Sequence, residues 1–496
     1  MHSWLVQSAT WILRGYGILA ILHLVLQYWY AGRHQWRLYQ EKVRAAKRRG
    51  AHRAIPVRHK WTWYVPFLPE RSKRRRIKEA SAVERSLDSE SASPSIAVWV
   101  TVYQETPELM RACLQGLAAQ DYRGMVKYIV SDDGSYLAQI AKYSALQPNA
   151  EQTGPTPSRR KTENYAERRA FFQRKRDELL AVFDEFRSDS RFDFILSQRN
   201  EGKREAQQKA WVRSRRKSPP GVYPRVVPYE LYGSVDSDTV LDTNALTQLI
   251  SNFANPDVAA ATGYVDVGNA KVNLLTRLID MRYWSAFYVE RAAQSYHMAV
   301  MCCSGPLAAY RASVVDLVMG RYVIQRFLDK FCTFGDDRHL TNLVLELGYL
   351  VVMDPRAHCL TEVPTTMRQY IKQQTRWNKS FYREMLWTTG AIRSHSWYMT
   401  WDLTMQFLLP FLLILALIST VIIAVTGGGW LTLLQYVATI FGIGFVRSLY
   451  GVVVRKQISY LLFMLYGPVH LGVLMPVRLR ALFELLVLRK TNWGTR

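Results

Sequence analysis

Cysteine is scarce in this chain of 496 residues, which contains five cysteines and no C-x-x-C pair. Such scarcity argues against a disulfide framework, and the absence of paired spacing argues against a structural zinc site. We therefore expect reduced thiols at Cys113, Cys302, Cys303, Cys332 and Cys359. Acidic residues are also in deficit, with 40 Asp and Glu against 65 Lys and Arg. The net charge of +25 indicates an anionic partner, which could be nucleic acid, a lipid surface or an anionic substrate.

The N-terminal apolar run, residues 4–32, contains a single charged residue, Arg14. The run is long enough to span a bilayer. A cleavable signal peptide would have a basic start and a shorter apolar stretch, so we predict an uncleaved anchor over residues 1–32. Residues 33–78 then contain sixteen Lys and Arg but only two acids. This flank, part of a juxtamembrane segment and linker over residues 33–95, is predicted to be cytoplasmic by the positive-inside rule. Because the flank lies directly beside a span, anionic lipid headgroups are favoured over nucleic acid as its binding partner. No nucleic-acid partner is expected.

Charged residues are absent from residues 403–446, an apolar stretch interrupted only by glycines 427–429, which predicts two membrane spans joined by a tight outer turn. A third apolar run, residues 457–477, contains Gly467-Pro468 and Pro476 and has basic residues on both sides. Those flanks favour a re-entrant or interfacial pair of helices over a true crossing. We therefore predict a multi-pass protein of the plasma (inner) membrane, in which residues 401–496 form a transmembrane and re-entrant region in contact with the lipid bilayer.

The residues between the apolar ends alternate between strand and helix patterns, which predicts an α/β domain with a doubly wound sheet over residues 96–355. Apolar, β-branched runs predict strands at residues 96–102, 126–130, 192–196, 230–235 and 260–265. Helices are predicted at residues 107–119, at 158–186 as a highly charged insertion, and at 356–400 as interfacial helices. In such sheets ligands bind at the carboxyl ends of the strands.

Acidic residues follow two of the predicted strands. Asp236-Ser237-Asp238 ends the strand at 230–235, where two carboxylates can hold a divalent cation that neutralises a diphosphate. Asp132-Asp133-Gly134 ends the strand at 126–130. Either group alone can be an ordinary strand-ending turn, but two acidic strand ends in one sheet favour a shared site. Gly202-Lys203-Arg204 opens a helix after a third strand, where it either binds a phosphate or forms a solvated basic turn.

Two further motifs lie nearer the C-terminal spans. Gly335-Asp336-Asp337 begins a helix, where an acid can be an N-cap or a general base that deprotonates an acceptor hydroxyl. Gln373-Gln374-Thr375-Arg376-Trp377 lies on an amphipathic helix beside the first C-terminal span. Trp and Arg in such a place can anchor the helix at the membrane surface. Alternatively, the indole can stack on a sugar while the arginine and glutamine bind phosphate.

In their order these motifs resemble the membrane-integrated processive family-two glycosyltransferases, the group that contains the cellulose, chitin and hyaluronan synthases. The resemblance runs from residue 96 to the C-terminus, except for the charged insertion, and implies a GT-A-type glycosyltransferase domain. Within this group the chain resembles the hyaluronan synthases most. The segments that carry this likeness are residues 282–295, 303–307, 335–342, 373–380 with Arg383-Glu384, and the terminal Trp493-Gly494-Thr495-Arg496.

The resemblance implies a donor site for a UDP-sugar with Mg²⁺ or Mn²⁺ as cofactor. The residues that would surround the uridine and the diphosphate are Tyr103, Glu105, Asp132, Lys203, Asp236 and Asp238, with Trp493 and Arg496 closing over the nucleotide from the tail. The metal ligands would be Asp238, which binds most directly, and Asp236.

The resemblance also implies the residues of the transfer step. The catalytic group would comprise Asp337 as general base, Asp336 as its substitute, and Gln373, Arg376 and Trp377, which hold the diphosphate and cap the acceptor sugar. The acceptor site would be lined by Cys303, Ser304, Gly305 and Pro306 together with Trp377.

The implied activity is an inverting single displacement that polymerises UDP-N-acetylglucosamine and UDP-glucuronic acid into hyaluronan. The nascent polysaccharide would leave through a channel formed by the enzyme's own spans. One predicted N-terminal span, where two are common, and the C-C-x-G-P loop leave open a chitin-type or lipo-chitooligosaccharide-backbone synthase that uses UDP-N-acetylglucosamine alone. A third interpretation is a catalytically inactive membrane scaffold, and the intact Asp236, Asp238, Asp337 and Trp377 argue against it.

Overall fold

An eight-stranded mixed sheet forms the centre of the domain between the two apolar ends of the chain. The computed structural model describes residues 2–49, 93–146, 159–200, 202–215, 229–328, 330–332, 334–392, 395–425 and 430–487. The strands are β1 (Ile96–Val102), β2 (Val126–Asp132), β3 (Phe192–Leu196), β4 (Leu231–Asp236), β5 (Thr239–Leu241), β6 (Val258–Val267), β7 (Ala308–Arg311), β8 (Arg326–Phe327), β9 (Lys330–Phe331) and β10 (Leu350–Thr361). The sheet has the order β3-β2-β1-β4-β7-β6-β10-β5, in which β7 and β5 run antiparallel to their neighbours. Strands β8 and β9 pair separately.

Helices connect the strands and form both ends of the described chain. Helix α1 (His2–Arg49) precedes the sheet. The helices of the domain are α2 (Pro107–Ala118), α3 (Ser135–Ala145), α4 (Arg159–Glu185), α5 (Lys203–Ser214), α6 (Ala245–Ile250), α7 (Leu274–Trp284), α8 (Ala292–Tyr296), α9 (Ala312–Val323) and α10 (Asp336–Glu346). Those that follow are α11 (Met367–Ile392), α12 (Trp397–Val425), α13 (Leu431–Arg455), α14 (Tyr466–Val469) and α15 (Met475–Leu486). A π-helical segment, Ser285–Arg291, joins α7 to α8, and the 3₁₀ and π segments Ile458–Leu465 and His470–Leu474 flank α14.

Strand β1 positions the acidic strand ends next to one another. All seven of its residues are buried, as expected for a strand that has neighbours on both sides. Trp99 of this strand packs against Tyr232 of β4, and its indole N–H donates a hydrogen bond to Ser214 Oγ at 2.9 Å. The parallel register pairs Val102 with Asp132 and Thr101 with Asp236. The carboxyl ends of β1, β2 and β4 therefore meet at one edge of the sheet.

The predicted α/β domain between N-terminal and C-terminal apolar helices is confirmed. Strands β1 and β3 have the predicted bounds, and the strands predicted at residues 126–130, 230–235 and 260–265 are present as β2, β4 and β6. The prediction omits β5, β7 and β10. Strand β7 has only four residues, and β10 changes register between Asp354 and His358, so neither has a regular periodic pattern. The predicted domain boundary at residue 355 lies inside β10, and the sheet extends to Thr361.

Four helical segments are long and apolar enough to cross a membrane by length and composition, namely Thr10–Glu41, Trp397–Val425, Leu431–Arg455 and Ile458–Leu486. The first three correspond to the predicted anchor and the two predicted spans. Helix α1 continues to Arg49 instead of ending near residue 32, because residues 33–49 are mostly good helix formers without proline or glycine. Residues 50–92 and the glycines at 427–429 lie outside the described residues. The re-entrant arrangement of residues 457–477 stays a prediction.

A buried ion pair joins α11 to the C-terminal helix α15. The ammonium of Lys379 lies 2.6 Å from Glu484 Oε2, and the Lys379 side chain is 1% exposed. Arg480 contacts the other oxygen of the same carboxylate at 2.8 Å, but its own side chain is 60% exposed. The Lys379 charge is therefore compensated inside the protein, while the Arg480 charge is largely compensated by solvent.

We expect Glu484→Ala to lower the free energy of unfolding by about 3–5 kcal/mol, because it leaves the buried ammonium of Lys379 without this carboxylate. Arg480→Ala removes only the exposed partner, and we expect it to cost less than about 1 kcal/mol. The measurement is thermal unfolding of each purified variant in detergent. Equal unfolding midpoints for the two variants would contradict the prediction.

Candidate active site

A cavity of about 420 Å³ lies at the carboxyl ends of β1 and β4. The segment 301–306, the start of α10 and one side of α11 complete its wall. The predicted site residues that line it are Tyr103, Glu105, Lys203, Asp236, Asp238, Ser304, Gly305, Pro306, Asp336, Asp337, Gln373, Arg376 and Trp377. Trp493 and Arg496 lie outside the described residues, so their closure over a nucleotide stays a prediction. The structure thus brings together groups that are up to 274 positions apart in the sequence, from Tyr103 to Trp377.

Lys203, the first residue of α5, lies between two carboxylates of the cavity. Its ammonium is 2.5 Å from Asp236 Oδ1 and 3.9 Å from Asp337 Oδ1. Burial alone would lower the pKa of Lys203, but the two carboxylates outweigh burial and raise it. Lys203 therefore stays protonated and supplies a fixed positive charge beside the acidic strand end.

The two acids at the start of α10 have different surroundings. Asp336 accepts a hydrogen bond from Arg204 Nε at 2.8 Å, and its side chain is only 4% exposed. Burial alone would raise the pKa of Asp336, but Arg204 and Lys203 outweigh it and lower the pKa. Asp337 has a side chain that is 34% exposed, and its Oδ2 accepts a hydrogen bond from the Gly305 N–H at 3.1 Å. Burial, opposed by Lys203 and reinforced by Asp236 and Asp336, raises the pKa of Asp337 to about 6.

These differences separate a candidate base from a structural acid. A general base needs access to the substrate and a pKa near the working pH. Asp337 meets both requirements, whereas Asp336 is buried in an ion pair with Arg204. The geometry therefore favours Asp337 over Asp336 for proton transfer.

The D-x-D segment has two carboxylates that fit a divalent cation also coordinated by substrate phosphates and water. Ser237 Oγ donates a hydrogen bond to Glu105 Oε2 at 3.0 Å, which fixes the turn between the two aspartates against the end of β1. Asp238 Oδ1 accepts a hydrogen bond from Thr361 Oγ1 at 3.2 Å. Among the described residues no group of three or more acidic, His or Cys side chains is arranged for a metal. Mg²⁺ is commonly held by one or two carboxylates plus substrate phosphates and water, so Asp236 and Asp238 fit this mode of binding.

The opposite wall of the cavity presents an aromatic and an amide group. Trp377 is 42% exposed, and its ring centroid lies 6.4 Å from that of Tyr283. Gln373, one helical turn earlier on α11, is buried, and its Oε1 accepts no hydrogen bond within the described part of the chain. An exposed indole beside an unsatisfied amide can bind a sugar, through stacking on its apolar face and a hydrogen bond from a hydroxyl.

Two predicted site residues do not line the cavity. Cys303 is completely buried, and its N–H donates a hydrogen bond to Thr341 Oγ1 at 2.9 Å. The neighbouring Cys302 lines the cavity instead, because successive side chains of an extended segment point to opposite sides. Asp132 is also buried and does not line the cavity, and burial and the adjacent Asp133 raise its pKa to about 6.

The cavity continues past the predicted site toward the apolar helices. Its far wall contains side chains of α7, the π-helical segment, α8, α12 and α15, including Arg282, Glu290, Gln294, Gln406 and Arg478. Arg282 Nη1 lies 2.7 Å from Glu290 Oε1. The segment 282–295 carries part of the sequence resemblance, but its pattern alone does not reveal which of its side chains point into a cavity.

The position of both acids depends on Gly335, which has a φ of 81°. A Cβ atom at this position would collide with Ser380 Oγ and lie 2.7 Å from Arg383 Nη2 of α11. Arg383 Nη2 donates a hydrogen bond to the Phe334 carbonyl at 2.6 Å, and Glu384 contacts His339 Nδ1 at 3.1 Å. The start of α10 is therefore held directly against α11, with no room for a side chain between them.

Comparison with known proteins places these features in a family. The family model described as "Glycosyltransferase like family 2" matches residues 170–380. An N-acetylglucosaminyltransferase from Neorhizobium galegae is 34% identical over 423 residues, which is 84% of this chain and 84% of that protein. A similarly named protein from Mesorhizobium japonicum is 33% identical over 81% of this chain and 82% of its own length. A hyaluronan synthase from Streptococcus pyogenes is 38% identical over 297 residues, which is 60% of this chain and 66% of that protein.

We expect Gly335→Ala to lower the free energy of unfolding by about 1–3 kcal/mol, because a non-glycine residue is strained at this φ. The collision with Ser380 should add to this loss and displace Asp336 and Asp337. The control is Gly320→Ala in α9, where a Cβ would have no neighbour within 4 Å. Thermal unfolding of both variants in detergent is the measurement, and a Gly335→Ala protein as stable as the Gly320→Ala protein would contradict the prediction.

Proposed function

Because this chain belongs to glycosyltransferase family 2, we propose that it is a processive, inverting N-acetylglucosaminyltransferase that builds a β-linked polymer from UDP-N-acetylglucosamine. The relative from Neorhizobium galegae supports this donor, since it carries that name and the similarity extends over 84% of both chains. The mixed sheet and the family match support the predicted GT-A-type domain. The relatives favour the chitin-type alternative over the hyaluronan synthase that the motifs resemble most.

The observation that carries the proposal is the continuity of one cavity. Its wall includes Asp236 and Asp337 at the sheet edge and Gln406 on α12, one of the helices able to cross a membrane. A sugar added at the sheet edge therefore faces a route toward the membrane helices, and we infer that the nascent polysaccharide leaves along it. The basic flank that follows the first span supports a cytoplasmic catalytic domain on the plasma (inner) membrane.

In the transfer step, Asp337 accepts the proton of the acceptor hydroxyl while that oxygen attacks the anomeric carbon of the donor. The bond between this carbon and the diphosphate breaks, so that an α-linked UDP-sugar gives a β-linkage and UDP. Lys203 and Arg376 lie in the same cavity, where their charges stabilise the diphosphate as it departs. Trp377 offers its exposed ring to the acceptor sugar. Mg²⁺ or Mn²⁺ held by Asp236 and Asp238 would supply further positive charge at the diphosphate.

Hyaluronan synthesis is the second candidate function, and two observations favour it. The relative from Streptococcus pyogenes has the higher identity, 38%, over the shorter stretch of 297 residues. In addition, Arg291 and Arg338 line the cavity and form no ion pair within the described part of the chain, so they could bind the carboxylate of a glucuronate.

UDP release measured with single and mixed donors tests the proposed function. We expect sustained release from UDP-N-acetylglucosamine alone, with Mg²⁺ or Mn²⁺ present, and a product that chitinase degrades. Turnover that requires both UDP-N-acetylglucosamine and UDP-glucuronic acid, with a product that hyaluronidase degrades, would overturn the proposal in favour of the second candidate. Absence of turnover with either donor would contradict both.

The pKa of Asp337 predicts the acid limb of the activity profile. We expect kcat/KM to rise with pH through about 6, because Asp337 must lose its proton to act as a base and its pKa is raised to about 6. Lys203→Met removes a cation that lowers the pKa of Asp337. The pH at which the remaining kcat/KM rises should therefore be higher in this variant. Asp337→Asn should abolish turnover and retain UDP binding, measured by calorimetry. Full activity of Asp337→Asn, or an unmoved limb in Lys203→Met, would contradict the assignment.

A further inference from the structure

Asp402 is a buried carboxylate inside the long apolar helix α12. It is 0% exposed, and it accepts hydrogen bonds from the side-chain amides of three glutamines. Gln294 Nε2 and Gln406 Nε2 donate to its Oδ2 at 2.8 and 2.9 Å, and Gln27 Nε2 donates to its Oδ1 at 3.3 Å. His23 Nε2 lies 3.6 Å from the same Oδ1. The carboxylate thus connects α1 and α8 to α12.

One of these glutamines extends the connection to the acceptor side of the cavity. Gln294 Oε1 accepts a hydrogen bond from the Met301 N–H at 3.2 Å. Met301 begins the segment 301–306, in which the Gly305 N–H donates to Asp337 Oδ2 at 3.1 Å. A chain of hydrogen bonds and backbone therefore runs from Asp402 in the apolar helix to the candidate base.

Stability alone does not explain why residue 402, in an apolar helix, is an aspartate. An ionisable group within an apolar helix is costly, and such groups commonly serve a function. The two oxygens of the Asp402 carboxyl group accept from three amide N–H groups at once. Replacing the carboxylate leaves at least one of the three amides without its acceptor in a buried place, which is unfavourable. The carboxylate thus holds the glutamines in fixed orientations.

We propose that Asp402 is a positioning residue that keeps the segment 301–306 in register with the membrane helices, so that the growing chain stays aligned between successive transfers. Asp402 does not line the cavity, whereas Gln294, Met301 and Gly305 do. The inference rests on the proposed polymerase activity and concerns how long the enzyme retains its product. Loosening the segment should release the polymer early while each single transfer remains possible, since the residues that act on the donor are untouched and Asp337 is held at the start of α10 by the packing of Gly335 against α11.

The test compares product length with UDP release in Asp402→Asn. We expect products shorter by about threefold or more at equal UDP release, and an initial rate of UDP release within about twofold of the unsubstituted protein. The exchange variant combines Asp402→Asn with Gln294→Glu and restores the connection. In it the new amide at position 402 can donate to the new carboxylate at position 294, which still accepts from the Met301 N–H. This variant should recover at least half of the original length.

The matched control is Asp316→Asn. It alters a partly buried carboxylate on α9 that accepts a hydrogen bond from the Trp211 indole and does not line the cavity. Product lengths are read by gel electrophoresis of radiolabelled polymer. Unchanged length in Asp402→Asn, an equal shortening in Asp316→Asn, or no recovery in the exchange variant would overturn the proposal.

A second variant keeps the test decisive if Asp402→Asn does not fold. Gln294→Met breaks the connection and keeps the carboxylate, and unchanged product length in this variant would then overturn the proposal. Failure of the unsubstituted protein to polymerise UDP-N-acetylglucosamine would instead count against the proposed function.

Discussion

The close approach of acidic side chains in one cavity is the constraint on which the rest of the site depends. Asp236 and Asp337 share the ammonium of Lys203, and Asp336 is held by Arg204. Like charges disfavour the ionisation of one another, and burial adds to that cost. The two adjacent cations relieve the cost unequally, so Asp336 has a lowered pKa while that of Asp337 is about 6. The different properties of two neighbouring aspartates therefore follow from which cation each one contacts.

Helix α11 contacts both the acidic residues of the cavity and the C-terminal helices. Gln373, Arg376 and Trp377 on one side of this helix line the cavity. Arg383 donates a hydrogen bond to the Phe334 carbonyl, and Ser380 lies against Gly335 in the turn that precedes the two acids. Its Lys379 is paired with Glu484 of the C-terminal helix. Because side chains three and four positions apart share a helix face, one rigid helix can fix the distance between Trp377 and the candidate base, Asp337. A movement of the C-terminal helices would consequently reach the base through this helix.

Much of this arrangement can be predicted from the sequence where a residue's surroundings follow from its own segment. The bounds of β1 and β3 and the acidic ends of β2 and β4 are of this kind, since buried parallel strands are continuous apolar runs. Other features depend on contacts that no local pattern records. The assignment of Cys303 to the cavity fails because the loop turns Cys302 inward, and the four-residue strand β7 exists only because β4 and β6 flank it. The prediction of Asp336 as a substitute base likewise took no account of its ion pair with Arg204, because Arg204 is 132 positions away in the sequence.

The placement of the charged groups also separates the part of the cavity that suits any UDP-sugar from the part that could distinguish one sugar from another. In the proposed function, Lys203, Arg376, Asp236 and Asp337 act on a diphosphate and a hydroxyl, which are common to every UDP-sugar and every acceptor. Family membership therefore constrains the chemistry far more than it constrains the sugar. A site discriminates between sugars only where their substituents differ, and a hydrogen-bonding or charged pocket discriminates most strongly. For the proposed function, cavity-lining cations such as Arg291 and Arg338, which have no carboxylate partner among the described residues, are groups that could make that distinction. We therefore expect the choice between a neutral and an anionic sugar to depend on such cations rather than on the motifs that identify the family.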